Sequence, residues 1–267
     1  MKRHALFLGA LLVAGCSPSL YAANGFDDQL QPLHGTCSIA PSTQSDRVEF
    51  RLQRGACGDG KQHCDTSNDE MSLSNFTGFA LSDLKRDGSH LDAVIAAEAG
   101  KLTCSGTVHD LTLSGDFTFV PDQAFVARMQ QMGFSGFDSE KLEAYTLFHV
   151  ETSWIQSLQS AGVTGIDSDN IIALRIFKVD APFVNNMAGL GFAHLPAEKL
   201  IAFKIHGVNA DEVKQYRAMG YQPTADELIQ MRIFKITPEF IHHMQDRGLN
   251  NLTIAKLVQI RIFKLAE

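Results

Sequence analysis

The residues best placed to do chemistry are basic. Arg175, Lys204, Arg232 and Arg261 recur at one register of a repeating segment, and Lys178, Lys235 and Lys264 stand three residues after members of that set. Positions three apart share a helical face, so on helices ~9–10 Å apart these side chains would form a positive row. The chemistry of such a row is anion capture: an acidic protein segment, an anionic polymer or lipid headgroups. The same residues also suit a structural role, because cations in the last turn of a helix offset its dipole and keep an apolar helix soluble. Glu198, Asp226 and Glu227 could neutralise part of the row.

Other reactive types form weaker constellations. With Cys16 set aside, four of the five cysteines remain, at Cys37, Cys57, Cys64 and Cys104. In an oxidising compartment an even set predicts two disulfides. Three connectivities are possible; the expected one is Cys57–Cys64, closing a Gly-rich loop, with Cys37–Cys104 joining distant strands. A zinc site from Cys57, His63 and Cys64 lacks finger-type spacing. His242 and His243 are adjacent, which points the rings to different sides of a helix, and no His-Glu-x-x-His occurs. A Gly-x-Ser-x-Gly elbow is absent too, since Gly133-Phe134-Ser135-Gly136 has the wrong spacing. The acidic run Asp65–Glu70 resembles a calcium loop but has neither its central glycine nor its distant glutamate, so it reads as a solvated loop. His63, Asp65 and His109 are the clustered polar residues a hydrolase in the first half would have to use. No catalytic residue, metal or cofactor is therefore expected, and a non-enzymatic role is.

The elements that would position the basic row are repeats. Gly133, Gly162, Gly191, Gly220 and Gly248 recur at steps of 29, 29, 29 and 28 residues. Eight residues before them stand Phe125, Trp154, Phe183, Glu212 and Phe240, so one copy replaces the aromatic with a carboxylate. The closing segments read Arg175-Ile176-Phe177-Lys178, Lys204-Ile205-His206-Gly207, Arg232-Ile233-Phe234-Lys235 and Arg261-Ile262-Phe263-Lys264, with a drifted Thr146-Leu147-Phe148-His149 in the first copy. A period of this length marks stacked supersecondary units. Each copy reads as two short helices, the first ending at the glycine and the second so apolar that neighbours must sandwich it. Ser139, Ser168, Thr224 and Thr253 are N-cap candidates for the second helices.

Before the repeats, apolar and polar residues alternate: Val48, Phe50 and Leu52; Leu102 and Cys104; Leu111, Leu113, Phe117 and Phe119. That period of two predicts half-buried strands. Leu91–Glu98 reads as a short helix capped by Gly100, and Leu73–Leu84 fits either strand or loop. The expected fold is thus α+β: a small disulfide-stapled antiparallel β domain over 35–120, followed over 121–267 by an α-solenoid of five two-helix repeats. Its last helix would leave Leu257 and Ile260 bare, a surface for a partner or a second copy.

The first residues predict export. Lys2 and Arg3 precede a short apolar run, too short to span a bilayer, and Val13-Ala14-Gly15-Cys16 resembles a lipobox. Residues 1–15 would be a signal peptide, Cys16 the lipidated N-terminus, and 16–34 a tether. Ser17 resembles the residues that permit passage to the outer membrane, so an outer-membrane lipoprotein facing the periplasm is expected. Ordinary cleavage near Leu20-Tyr21-Ala22 would instead release a soluble protein. Charge argues against nucleic acid: residues 1–150 hold 11 Lys/Arg against 18 Asp/Glu, and the remainder 12 of each, so neither half has a basic excess.

The units "GVTGIDSDNIIALRIFKVDAPFV" and "GYQPTADELIQMRIFKITPEFI", and the lead-in Gly115–Pro121, resemble the extracytoplasmic helical-repeat region found beside or fused to BlaR/MecR-type membrane metallopeptidases. The peptidase domain itself has no counterpart in this sequence. The resemblance implies an accessory or sensor-like region in a cell-wall or stress signalling system. The residues themselves favour a scaffold that holds an envelope protein or an anionic polymer.

Overall fold

The computed structural model describes residues 30–55 and 65–263. Alternating side chains build six strands, β1 (Leu33–Pro41), β2 (Arg47–Arg54), β3 (Asp65–Ser72), β4 (His90–Ala97), β5 (Gly100–His109) and β6 (Thr112–Pro121). They form one antiparallel sheet in the order β3-β2-β1-β6-β5-β4. Two three-strand meanders meet where β1 pairs with β6, Leu33 opposite Phe119. The inward face carries Ile39, Phe50, Leu52, Leu102, Leu113 and Phe117, all buried.

The Cys37–Cys104 disulfide joins β1 to β5 with their Cα atoms 6.0 Å apart, although β6 lies between those strands. In a flat sheet, strands two places apart stand ~9.6 Å apart, so the sheet bends sharply at the bridge. Glycines make the bend possible. Cys37 lies opposite Gly115, and Gly115 opposite Gly106. A Cβ on Gly115 would collide with the Ser105 carbonyl oxygen, and one on Gly106 with that of Ser114. The expected staple between distant strands is therefore present. Cys16, Cys57, His63, Cys64 and Lys264 lie outside the described residues.

Three local readings are corrected. Leu91–Glu98 is not a helix: it falls almost wholly in β4, paired along its length with β5. Ala93 and Ile95 point inward there, so sheet pairing overrides the helix propensity of the alanines. Gly100 is a strand residue rather than a cap, and a Cβ on it would lie 2.6 Å from the Phe119 ring. The acidic run Asp65–Glu70 belongs to strand β3 at the sheet edge, where charges deter pairing with another chain. The ambiguous Leu73–Leu84 stretch contains two short 3-10 turns, Leu73–Asn75 and Leu81–Lys85.

Ten helices follow: α1 (Gln123–Gln131), α2 (Ser139–Leu147), α3 (Thr152–Ser160), α4 (Asn170–Ile176), α5 (Ala181–Gly189), α6 (Ala197–His206), α7 (Ala210–Ala218), α8 (Ala225–Ile233), α9 (Pro238–Asp246) and α10 (Ile254–Phe263). They do not form the expected solenoid of five equivalent two-helix repeats beside a separate β domain. Helix α2 packs on β4, β5 and β6, and one core runs from the sheet through Phe125, Met129, Leu142 and Tyr145 to Ile171. The apolar surface of the first helices is thus shared between the sheet and the next helical pair, which contributes Ile155 and Ile171. Two further cores, around Leu174 and Leu200 and around Met231 and Ile241, cut across the sequence units.

The junction with the sheet carries a buried ion pair. Arg54 at the end of β2 donates to Glu143 of α2 at 2.6 Å, and the glutamate side chain is almost wholly enclosed. Burial raises the Glu143 pKa, and the Arg54 guanidinium pulls it partly back. At the far end, Leu257 is fully buried and Ile260 half-buried, so among the described residues the exposed apolar side chains there are Ile262 and Phe263 rather than the two expected.

Candidate binding surface

The four closing segments described to their ends share one terminal geometry. After α2, α4, α6 and α8 the chain turns left-handed at His149 (φ 49°), Lys178 (φ 54°), Gly207 (φ 68°) and Lys235 (φ 53°). The next N–H then reaches back to the helix: Val150 to Tyr145 at 2.9 Å, Val179 to Leu174 at 2.9 Å, Val208 to Phe203 at 2.8 Å and Ile236 to Met231 at 2.7 Å. This is the Schellman closure, with an apolar residue tucked under the helix end. Lys178 and Lys235 therefore stand in the turns beyond α4 and α8, not on the helical face of Arg175 and Arg232. Glycine usually fills this position because a Cβ strains the left-handed region; only Gly207 follows that rule.

The remaining basic residues are held by partners within the fold. Arg175 donates through Nε to the Phe148 carbonyl at 3.0 Å, and its guanidinium sits 5.3 Å from the centre of the Trp154 ring. The Lys204 ammonium lies 4.2 Å from the centre of Phe183. Arg261 lies 3.9 Å from the centre of Phe240 and donates to the Lys235 carbonyl at 3.4 Å. In the copy with a carboxylate in place of the aromatic, Arg232 pairs with Glu212 at 2.5 Å and donates to the His206 carbonyl at 2.9 Å. Each arginine thus closes the end of the preceding even-numbered helix, and each cation packs on an aromatic face or on its acidic substitute.

The first copy differs. Its residue at the cation register is Thr146, which is fully buried, and its aromatic is Phe125, edge-on to Tyr145 in the sheet core. Where α2 lies on the sheet there is no water for an ammonium or guanidinium to face.

What these segments expose is apolar. Ile176, Ile205, Ile233 and Ile262 are 45%, 51%, 49% and 50% accessible, one from each of α4, α6, α8 and α10. Contacts run from α4 to α6, α6 to α8 and α8 to α10, so the four isoleucines follow one another across adjacent helices, roughly 30 Å in all. Four residues earlier on the same face stand the half-buried Ile172, Ile201 and Ile229 and the buried Val258. The reading of these helices as enclosed on nearly every side missed this face. Its signal was available: the residue after the cation register is Leu147, Ile176, Ile205, Ile233 or Ile262, one per copy, aliphatic where a surface residue would be free to vary.

The hydrolase constellation is not assembled among the described residues. His109 is exposed at the end of β5, near Asp87, while Asp65 belongs to β3, four places away in the sheet. No group of three or more His, Cys, Asp or Glu placed to hold a metal occurs among the described residues, and no helix there is long and apolar enough to cross a membrane. Of the N-cap candidates, Thr224 caps α8 with a reciprocal Glu227 contact. Asp138 and Asp169, rather than Ser139 and Ser168, precede α2 and α4. Compared with known protein families, characterised proteins and solved structures, the chain matches none.

Proposed function

We propose that this chain is a non-enzymatic envelope lipoprotein, anchored through Cys16, whose helices hold a protein partner on the isoleucine face. The observation that carries the reading is the four-fold recurrence of a half-exposed isoleucine at one register of adjacent helices. An isolated exposed aliphatic residue needs no explanation, but a continuous row of them marks an interaction site. The occupant that fits is an apolar segment of a partner protein with carboxylates along one edge, because Lys178 and Lys235 are exposed beside the row. An anionic polymer fits less well: Lys204 and Arg261 lie on rings and Arg232 is paired with Glu212, which interrupts any continuous row of free cations. The sensor reading rests on the sequence resemblance alone.

Ile205→Glu with Ile233→Glu tests the proposal. These side chains are half in water, so the double variant should keep the helical circular dichroism of the parent. A protein captured from envelope extracts by the parent and lost with the double variant, yet retained with the control Lys214→Glu on α7, supports the reading. Identical capture by parent and double variant overturns it. Loss of self-association instead of partner capture would replace the partner with a second copy.

A further inference from the structure

We propose that a second site, which shares Lys178 with the edge of the isoleucine face, takes a small organic carboxylate in a cavity between α3 and the turn after α4. The cavity, of about 390 Å³, is lined by Trp154, Arg175, Lys178, Val179 and Asp180. Its walls combine two kinds of surface. Trp154 and the buried Val179 are apolar, and the indole is fixed by its Nε1–H donating to the Val179 carbonyl at 3.3 Å. Arg175 and Lys178 supply positive charge. The Arg175 guanidinium spends its Nε on Phe148 and rests on the indole, which leaves its two terminal nitrogens without a hydrogen bond or ion pair among the described residues. Lys178 likewise pairs with no described carboxylate, and the left-handed turn holds it exposed at the cavity wall. The Asp180 carboxylate is engaged elsewhere, accepting from the Phe183 N–H at 2.8 Å as the cap of α5.

Two of the corresponding rungs each lack a part. Lys204 and Phe183 are followed by Gly207 instead of a lysine, and the charge of Arg232 is met by Glu212. Among the rungs whose closing residue is described, that at Trp154 alone unites an aromatic wall with two cations that form no ion pair, although Asp180 also lines the cavity. A planar guanidinium binds a carboxylate through paired N–H donors, while the indole and valine accept an apolar body. The ligand class is therefore a carboxylate on an aromatic or aliphatic tail, either a free acid or the C-terminus of a peptide.

Trp154 is the only tryptophan of the chain, so its fluorescence reports the site directly. Titration of the full protein with 3-phenylpropionate should give a saturable change, whereas 3-phenylpropanol and inorganic phosphate should not. Lys178→Gly, which relieves a left-handed residue and should not unfold the protein, should weaken binding about tenfold, the worth of one charge-assisted hydrogen bond. Arg175→Gln should abolish it. N-acetyl-phenylalanine binding more tightly than 3-phenylpropionate assigns the site to a peptide terminus, and the reverse order to a free acid. A response that is non-saturable, equal for acid and alcohol, or unchanged by Lys178→Gly overturns the proposal. None of these outcomes depends on the isoleucine face.

Discussion

The two ends of the helical region obey one sequence pattern and bury it differently. In the first copy, Phe125 and Thr146 are sealed in a core shared with the sheet. In the later copies, the same registers hold an aromatic or Glu212 beneath a half-exposed cation. Identical backbone periods therefore serve two environments, and the environment decides the residue. Against the sheet, stability comes from long-range devices: the Cys37–Cys104 bridge and the Arg54–Glu143 pair. Away from it those bonds are missing, and the left-handed closures, caps and cation–ring contacts that the first copy also has must serve alone.

That contrast can be broken most forcefully at the bridge. It ties residues 67 apart, so Cys37→Ser with Cys104→Ser should cost about 4 kcal/mol by loop-closure entropy. The loss would be read as a lowered denaturant midpoint, matched by most of the shift that a reducing agent causes in the parent. Next is Arg54→Ala, which leaves Glu143 enclosed without its partner and should cost about 3 kcal/mol; adding Glu143→Leu should recover much of it.

The same pair has a pH signature. Because burial raises the folded pKa of Glu143, the folded protein holds this proton more tightly than the unfolded chain does. Its contribution to stability is full below the ordinary carboxylate range and is lost as pH rises through the folded pKa. Glu143→Gln should flatten that limb of the stability–pH curve, and Arg54→Ala should carry it to higher pH.

In the outer helices the effects shrink. Gly207→Ala places a Cβ at φ 68° and 3.0 Å from the Arg232 guanidinium, at a cost of about 1–2 kcal/mol in thermal or chemical unfolding. Smallest is Glu212→Phe, which exchanges an ion pair for the ring contact used by Arg261 and should change stability by less than about 1 kcal/mol. A loss as large as that of Arg54→Ala would erase the distinction between the two regions.

How much of this was legible follows from where the signals lie. Alternation exposed β2, β5 and β6, since Phe50, Leu102 and Phe117 each sit between polar neighbours. The Cys37–Cys104 pairing was expected, but the bend that allows it depends on Gly106 meeting Gly115 across two strands, a register no local pattern reports. Segment β4 reads as helix because its alanines favour one, and β3 reads as a loop because an edge strand needs little apolar surface. The left-handed turns at Lys178 and Lys235 are invisible locally, since lysine carries none of glycine's signal; only alignment with Gly207 hints at them. The solenoid expectation failed because the repeat is uniform in sequence while its first copy is committed to the sheet.

The pairing of β1 with β6 also sets an order of events. Leu33 must find Phe119, some 86 residues later, so a chain delivered N-terminus first holds β1 without this neighbour until nearly half its length has arrived. Loop closure over that span is slow compared with forming a short helix. The first meander therefore waits with its inward face open, and a chaperone or oxidant that acts on the emerging chain meets it in that interval.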